Sequence, residues 1–233
     1  FWPSIWFTLE YTVIVTVFLL VLGLGMAMIV QESSKWNNVL RTCFLLPSAT
    51  GLASASLLFY ALYSPQVGPV TKILSSLGLM QEGGSVLATG QSALWATIIV
   101  IVWRFSGYYM LLMMIGLQAI PGDLYEAARM DGAGSWRIFR SITLPLMKPT
   151  IVILLIMNCG SILEAGFDQI FNFYNSAVYE TGDIIDTYVY RRGIGDMEYS
   201  ISTAVGLFKN VIGFILVTGT NFIAKRLGEG GIW

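Results

Sequence analysis

Five long apolar stretches dominate the sequence, and each is long enough to cross a lipid bilayer. A spanning helix needs about 20 apolar residues, and stretches near that length lie at about 7–30, 42–63, 93–118, 149–171 and 201–224. The bilayer core holds no water to bond backbone N–H and C=O groups, so such stretches must fold as helices. The sequence therefore predicts an all-α fold, a polytopic transmembrane helical bundle with five spans in one domain, residues 1–233.

Charge and residue content exclude several functional classes. Only 12% of the residues are charged, whereas a soluble domain has about 25%. The net charge of −1 gives no basic surface for nucleic acid. The chain has no histidine, which removes His-based metal sites and Ser-His or Cys-His catalysis. Cys43 and Cys159 both fall in apolar stretches, and we expect small buried residues rather than a disulfide.

Lys and Arg are concentrated on one side of the predicted bundle. If the loop at 119–148 is cytoplasmic, eight of the 13 Lys and Arg residues lie on that side and three on the other. Cytoplasmic loops carry an excess of these residues, so the bias supports this orientation. Residue 1 then lies outside, where Trp2 and Trp6 are interfacial anchors. An odd number of spans with an external start fits a chain that begins partway through a longer protein.

The two outer loops contain more than connecting chain. The loop at 64–92 is predicted to hold one short helix near 69–77. The extracytoplasmic loop at 172–200 holds an amphipathic stretch, Asp183 to Arg191, with apolar residues on one face: Ile184, Ile185, Tyr188 and Val189. This pattern predicts a short helix packed along the outer membrane surface.

The cytoplasmic loop at 119–148 is polar, rich in helix-forming residues and interrupted by glycine. Asp123 is predicted to cap the N-terminus of a short helix, and Glu126 three residues later completes a capping box. Gly132 can adopt the left-handed conformation that ends a helix. The first half of the loop therefore predicts a short helix that stops at a glycine.

A second short helix is predicted in the other half of the loop. Ser135 is expected to cap a helix over 136–142, and Pro145 and Pro149 to reset the backbone before the fourth span. The helix–glycine–helix element would present a docking surface to a soluble partner. The alternative is an interfacial helix that only anchors the loop to lipid.

This loop closely resembles the cytoplasmic EAA loop of binding-protein-dependent ABC importer permeases, in the carbohydrate-uptake form. The residues that carry the resemblance are Glu126-Ala127-Ala128, Asp131-Gly132-Ala133, Phe139, Ile142, Leu144-Pro145-Leu146 and Pro149. The lead-in Gly116 to Pro121 is also similar. The tail Gly228 to Trp233 resembles the oligosaccharide and polysaccharide branch, which includes alginate and lipoprotein-linked saccharide permeases.

The resemblance implies a type I ABC importer permease fold with six core spans, so one more span is expected before Phe1. It also implies that the loop is a coupling helix inserted into a groove of an ATP-binding subunit, with contacts from Glu126, Ala127, Ala128, Asp131, Gly132 and Ala133. The chain has no G-x-x-x-x-G-K-[ST] run. We therefore expect no enzymatic activity and no cofactor in this chain, with ATP and Mg bound by partner subunits.

The resemblance further implies the partners and the location. The expected partners are a second homologous permease subunit, two ATP-binding subunits, an extracytoplasmic solute-binding protein and the lipid bilayer. The expected location is the bacterial cytoplasmic (inner) membrane, with several passes. Transport would proceed by alternating access, driven by closure of the ATP-binding subunits.

Polar residues inside the spans are candidates for a substrate path. A charge at the centre of a bilayer costs about 2.5–3.5 kcal/mol on insertion scales, so each needs a partner or a function. Aromatic faces stack on sugar rings and polar groups bond hydroxyls, which gives the candidate set Arg104, Tyr108, Tyr109, Asn158, Glu164 and Asp168. Glu164 and Asp168 are four residues apart and would share a helix face. The alternative is that Arg104 pairs with one of them as a structural clamp.

Other functional classes stay open. A self-contained secondary transporter or channel would explain the spans but not the docking loop. An intramembrane enzyme would need paired catalytic residues, and Glu164 with Asp168 is the one local pair in the sequence. An ABC importer of a non-sugar solute such as a polyamine, phosphate or amino acid also stays possible, because the loop identifies the family better than the cargo.

Overall fold

Helices form the secondary structure of the described part of the chain. The computed structural model describes residues 2–31, 34–64, 68–78, 84, 86, 90–164, 166–167, 170–171, 183–226 and 228. The helices are α1 (Trp2–Val30), α2 (Lys35–Ala49), α3 (Leu52–Tyr63), α4 (Pro69–Ser76), α5 (Gly90–Gln118), α6 (Gly122–Met130), α7 (Ser135–Ile138), α8 (Leu144–Gly160), α9 (Ile185–Tyr190) and α10 (Tyr199–Arg226). Two π-helical turns follow α7 and α9, at Phe139–Thr143 and Arg191–Gly195.

Four helices in the described residues are long and apolar enough to cross a membrane, or five if α2 and α3 form one bent span. The first, third and fifth predicted spans are confirmed by α1, α5 and α10. The second is not one helix, because Gly51 has extended backbone angles (φ −60°, ψ 145°) and separates α2 from α3. The short helix predicted near 69–77 is confirmed by α4.

The fourth span begins and ends earlier than predicted. It runs from Ser135 to Gly160, so Pro145 and Pro149 lie inside a continuous helical segment and do not reset the backbone. The Leu144 N–H bonds to the Phe139 carbonyl five residues back. This wider turn relieves the crowding that Pro145 would cause in a regular α-helix.

The chain after Gly160 is not the predicted continuation of that span. Glu164 lies outside any helix, and Gly166 has φ +71°. The prediction that Glu164 lies on a helix face is therefore wrong, since the backbone turns here. Asp168 lies outside the described residues.

The structure divides into two compact units, residues 1–15, 49–104 and 161–213 in the first, and residues 16–48, 105–160 and 214–233 in the second. The core of the second unit contains the methionines that the sequence places in α5 and α8. Met110, Met113 and Met147 are fully buried. Partly buried aromatic residues from the 119–148 loop, Tyr125 and Phe139, pack against this core.

A close helix crossing holds the second unit together. A Cβ atom built on Gly107 of α5 would lie 2.0 Å from the backbone carbonyl oxygen of Phe44 in α2. Only glycine allows two helix backbones to approach so closely, as is typical of membrane helix contacts. The crossing thus depends on the absence of a side chain at position 107.

A buried carboxylate fastens the segment before α9 within the first unit. Asp183 is 8% exposed and accepts hydrogen bonds from the Arg191 guanidinium at 2.7 and 3.3 Å. The Thr187 hydroxyl donates to Asp183 at 2.8 Å, and the Ser4 hydroxyl of α1 donates at 3.3 Å. The N-terminal end of α1 and the turn around α9 are therefore joined by a charged, largely buried network.

Only part of the apolar face predicted for this segment is buried, since Tyr188 and Val189 are half-buried. Ile184 and Ile185 are fully buried, and the Ile185 N–H donates to the Thr8 hydroxyl at 3.2 Å. Asp186, also in α9, forms an ion pair with Lys209 of α10. A lysine inside the fifth predicted span is therefore neutralised by a carboxylate from α9.

Replacement of Asp183 by Asn is expected to destabilise the protein by roughly 1.5 kcal/mol. A hydrogen bond to a charged group contributes about 1.5–3 kcal/mol, and the lower end applies because the Arg191 side chain is 35% exposed and partly screened by solvent. The measurement is the thermal unfolding temperature of the purified protein in detergent.

Asp196→Asn is the matched control. Asp196 pairs with Arg192 at 3.1 Å, and both side chains are more than 40% exposed. In the wild type, the hydrogen bond to Asp196 raises the pKa of the Arg192 guanidinium above its ordinary value. An arginine is charged at neutral pH without such a bond, so Arg192 is charged in both proteins. We expect no measurable loss of stability for this exposed pair, and equal losses for the two variants would contradict the role assigned to Asp183.

Candidate functional site

The first helix of the 119–148 loop differs at its start from the predicted form. Helix α6 begins at Gly122, its N-cap residue is Pro121, and no side chain bonds to the cap. Asp123 lies in the first turn, so the predicted capping box with Glu126 is wrong. The Asp123 carboxylate still favours the helix start, because the N-terminus of a helix dipole attracts negative charge.

The end of α6 is as predicted. Gly132 has φ +75°, its N–H bonds to the Arg129 carbonyl at 3.0 Å, and the Ala133 N–H bonds to the Ala128 carbonyl at 3.0 Å. This pair of bonds is a complete Schellman motif, which requires a left-handed residue and therefore favours glycine. The chain reverses here without leaving these carbonyls unbonded.

The predicted docking residues lie on a short, accessible element. Glu126, Ala127, Asp131 and Gly132 are exposed, whereas Ala128 and Ala133 are half-buried. All six predicted contact residues therefore lie at the end of one helix and the turn that follows it. Their function as contacts stays a prediction.

A cavity of about 680 Å³ opens beside this element. Its lining comes from the last turn of α1, from α6, and from the start of the fourth span: Met28, Ile29, Gln31, Gly122, Tyr125, Glu126, Arg129, Ser135, Ile138, Phe139 and Thr143. The hydroxyls of Tyr125 and Thr143 lie 3.2 Å apart and join α6 to the fourth span. Ser135 lines the cavity and does not cap a helix as predicted; the N-cap residue of α7 is Gly134.

Two large apolar side chains next to the docking residues were missed by sequence reasoning. Met130 is 89% exposed and Trp136 is 72% exposed, and the Trp136 ring packs at 5.4 Å from the ring of Phe139. The available signal was the presence of two large apolar residues among the charged and small residues at 126–137. With the charged residues around them, they form a mixed surface suited to a protein partner.

Arg41 fixes the end of α1 that forms one wall of the cavity. Its guanidinium donates to the Val30 carbonyl at 3.0 and 2.5 Å and to the Gln31 carbonyl at 3.2 Å. A cation at the C-terminus of a helix is favourable and satisfies carbonyls that have no helical partner. No local sequence pattern pairs residue 41 with residue 30, and this contact was not predicted.

The candidate path residues divide between the two units. In the second unit, the Tyr109 hydroxyl donates to the Asn158 side-chain oxygen at 2.8 Å, and the Tyr108 ring packs edge-on against that of Tyr109. Tyr108 is 49% exposed. The structure thus brings together three of the six predicted residues from two different spans.

Arg104 and Glu164 lie in the first unit. The Arg104 Nε donates to the Thr50 carbonyl at 3.3 Å, at the break between α2 and α3. Glu164 is exposed. A clamp between Arg104 and a carboxylate stays a prediction, since Asp168 is outside the described residues.

Comparison with known proteins gives a family and several relatives. Residues 19–228 match the family described as binding-protein-dependent transport system inner membrane component. The chain is 34% identical over 213 residues to Protein LplB of Bacillus subtilis, which covers 89% of this chain and 65% of that protein. It is 43% identical over 136 residues to the polygalacturonan/rhamnogalacturonan transport system permease protein YteP of the same organism, covering 58% of this chain and 42% of that protein.

A more distant relative and a solved structure match over nearly all of the chain. The trehalose/maltose transport system permease protein MalF of Thermococcus litoralis is 32% identical over 230 residues, 98% of this chain and 75% of that protein. A chain in the crystal structure of a bacterial alginate ABC transporter, in complex with an alginate pentasaccharide-bound periplasmic protein, has a TM-score of 0.92 at 30% identity. The match covers 100% of this chain and 81% of that one.

These matches agree with the apolar helices. Four helices of membrane-spanning length in the described residues and a family of inner membrane components confirm the predicted membrane location. The chain spans about two thirds of the length of LplB and less than half that of YteP. The helical fold of the described residues agrees with the match to the alginate transporter chain, which covers 81% of that chain. The chain therefore belongs to the family of binding-protein-dependent transport system inner membrane components.

Proposed function

We propose that this chain is a permease subunit of an ATP-driven ABC importer that moves a saccharide, most specifically an oligosaccharide, into the cell. The names of the relatives support this cargo, since YteP and MalF are named for polygalacturonan/rhamnogalacturonan and for trehalose/maltose. The similar solved structure is a transporter of alginate. Tyr108, Tyr109 and Asn158 lie together in one unit, and their side chains are of types that can stack on or bond to sugars.

The observation that carries the proposal is the continuity between the docking element and a span. Helix α6 ends in a turn at Gly132, and the segment that follows runs as one helix from Ser135 to Gly160. A partner that grips α6 and Trp136 would therefore hold the end of a membrane-spanning helix directly. A self-contained transporter or channel has no need of such an element.

Coupling follows from this arrangement. Two ATP-binding subunits, which hold ATP and Mg, would contact Glu126, Ala127, Ala128, Asp131, Gly132 and Ala133. Their closure would move α6 and tilt the fourth span, so that the path formed with a second permease subunit opens alternately to each side. An extracytoplasmic binding protein would deliver the saccharide.

The test is purification of the intact complex, followed by ATPase assays with binding protein loaded with different oligosaccharides. We expect ATP-binding subunits to co-purify and one saccharide class to stimulate ATP hydrolysis. Glu126→Lys should reduce the co-purified ATP-binding subunits without reducing the amount of membrane-inserted chain. Purification without an ATPase partner would favour the self-contained transporter, and stimulation by a non-sugar solute alone would overturn the saccharide assignment.

Replacement of Arg104 by Met is expected to lower uptake about tenfold, because one charge-assisted hydrogen bond to substrate contributes roughly 1.5–3 kcal/mol. Arg104→Lys, which keeps the charge, should retain part of the uptake. Both variants are measured by radiolabelled saccharide uptake into vesicles and by thermal unfolding. Normal uptake by Arg104→Met together with a lower unfolding temperature would show that Arg104 is a structural clamp.

A further inference from the structure

Helix α6 is joined to the fourth span at two points, one near each end of the helix. The first is the covalent turn at 131–134, which follows the last residue of α6, Met130. The second is the contact between the hydroxyls of Tyr125 and Thr143, which lie 3.2 Å apart. Thr143 lies eight residues, or about 12 Å, along the span that begins at Ser135. The two attachments are therefore well separated along the span.

The covalent attachment bends easily. It contains Gly132 and Gly134, and glycine has more backbone freedom than any other residue. A Cβ atom added at either glycine would have nothing within 4 Å, so no neighbouring group supports the turn. The cavity of about 680 Å³ beside α6 leaves space into which the helix can move. A force on α6 would therefore bend the turn before it tilted the span, unless α6 is also held at its other end.

The Thr143 hydroxyl makes its hydrogen bond outside its own helix. In a regular helix, a threonine hydroxyl bonds to a carbonyl three or four residues earlier, as those of Thr97 and Thr220 do in α5 and α10. Four residues before Thr143, the Phe139 carbonyl accepts the Leu144 N–H of the π turn. The hydroxyl of Thr143 bonds to α6 instead.

The bond between the two hydroxyls is partly protected from water. Thr143 is 3% exposed, and Tyr125 is half-buried, with its ring packed against the core of the second unit. Low access of water strengthens a hydrogen bond and makes the loss of one partner costly. This bond, together with the packing of the ring, therefore fixes the distance between the start of α6 and the fourth span.

We propose that Tyr125 and Thr143 are positioning residues for transport. Their hydrogen bond makes α6 and the fourth span move as one body, so that movement of the docked ATP-binding subunits tilts the span and does not bend the glycine turn. Neither residue touches saccharide or ATP in this role. The proposal rests on the proposed function for the ATP-binding subunits, and it adds the contact that transmits their movement.

The first experiment compares saccharide import with ATP hydrolysis by the intact complex in vesicles. The probes are maltose, trehalose, oligogalacturonate and alginate pentasaccharide on the binding protein, and the one that most stimulates the wild type is used for every variant. Tyr125→Phe keeps the ring, so the ATP-binding subunits should co-purify as in the wild type. We expect the amount of saccharide imported per ATP hydrolysed to fall about threefold to tenfold, which corresponds to one hydrogen bond.

Tyr199→Phe is the matched control for this change. Tyr199 is 65% exposed at the start of α10, so removal of its hydroxyl should leave the import per ATP hydrolysed unchanged. An unchanged ratio in Tyr125→Phe, or an equal fall in both variants, would overturn the proposal.

Thr143 separates a positioning role from a merely structural one. Thr143→Ser keeps the hydroxyl and loses a buried methyl group, so it should lower the thermal unfolding temperature in detergent and keep the import per ATP hydrolysed. Thr143→Val keeps the side-chain volume and loses the hydroxyl, so it should lower the ratio as Tyr125→Phe does. A ratio that falls in step with the unfolding temperature across these variants would overturn the proposal in favour of a structural role.

The double variant Tyr125→Phe/Thr143→Val tests whether the two hydroxyls act through one bond. Its import per ATP hydrolysed should equal that of either single variant, because the first substitution already removes the bond. Losses that multiply would show two independent roles and overturn the proposal. Absence of ATP-binding subunits from the wild-type complex would overturn the proposed function and this proposal with it, whereas normal coupling in both the wild type and the variants would overturn this proposal alone.

Discussion

Gly107→Ala is expected to lower the thermal unfolding temperature of the purified protein by about 5–10 °C. The new methyl carbon would lie 2.0 Å from the Phe44 carbonyl oxygen and 2.7 Å from its carbonyl carbon. Both are backbone atoms of α2, so the clash cannot be relieved by a side-chain rotation, and the helices must move apart. Overpacking of this kind costs about 1–3 kcal/mol, and a backbone contact places this variant at the upper end.

Gly25→Ala is the matched control for this effect. Gly25 lies in α1 in the same unit, and a Cβ atom there would meet nothing within 4 Å. Alanine in a helix is favoured over glycine by about 0.5–1 kcal/mol, so the control should unfold at the same or a slightly higher temperature. Similar decreases for both variants would show that the α2–α5 crossing is not as close as the structure indicates.

Gly132→Val is expected to reduce the association of the chain with the proposed ATP-binding subunits by about tenfold to a hundredfold. Gly132 has φ +75°, a conformation that a β-branched residue adopts only with strain of about 1–3 kcal/mol. The strain would unwind the Schellman turn and misplace α6, while the spans would be unaffected. The measurements are the amount of ATP-binding subunit that co-purifies and the saccharide-stimulated rate of ATP hydrolysis.

The control for this prediction lies two residues away. Gly134 has φ −71° and ψ 161°, which valine adopts readily, and open space surrounds it. Gly134→Val should therefore bind the ATP-binding subunits like the wild type. If Gly132→Val also bound normally, with unchanged ATP hydrolysis, the docking role of this turn would be refuted. Loss in both variants would mean that side-chain bulk in the loop, not the backbone conformation, weakens binding.

The spans could be predicted because a lipid bilayer allows few backbone conformations. Any stretch of about 20 apolar residues must form a helix in hydrocarbon, and α1, α5 and α10 follow that rule. The end of α6 at Gly132 was also predictable, because a glycine after a helix-forming run favours the left-handed terminating residue. In both cases one local physical rule is strong enough to decide the structure.

Helix boundaries near proline and glycine could not be predicted in the same way. Hydropathy reports the length of an apolar stretch. It does not report the hydrogen-bond register, which here places Pro145 inside a helical segment after a π turn. It also did not show that Gly51 would separate α2 from α3, since the stretch has no charged residue on either side of that break. The amino-acid composition was similar before and after each helix boundary that was predicted wrongly, so composition did not indicate where the helix begins or ends.

The contacts of the candidate site were also predictable only in part. Tyr109 and Asn158 were selected because aromatic faces stack on sugar rings and polar groups bond hydroxyls, and the structure brings them together in one hydrogen bond. The partners of Arg41 and Lys209 were not predicted, since each depends on the packing of segments from different parts of the chain. Pairings of this kind follow from the tertiary fold, which a single sequence does not reveal.

The length of the unbroken helical segment from Ser135 to Gly160 determines how far one end moves when the segment tilts. Its 26 residues measure about 39 Å at 1.5 Å per residue. If the segment pivots as a rod about its Ser135 end, each tilt of about 10° displaces the Gly160 end by about 7 Å, roughly the width of one sugar ring. Leverage of this kind would let a small rotation on one side of the membrane change the clearance for a sugar on the other.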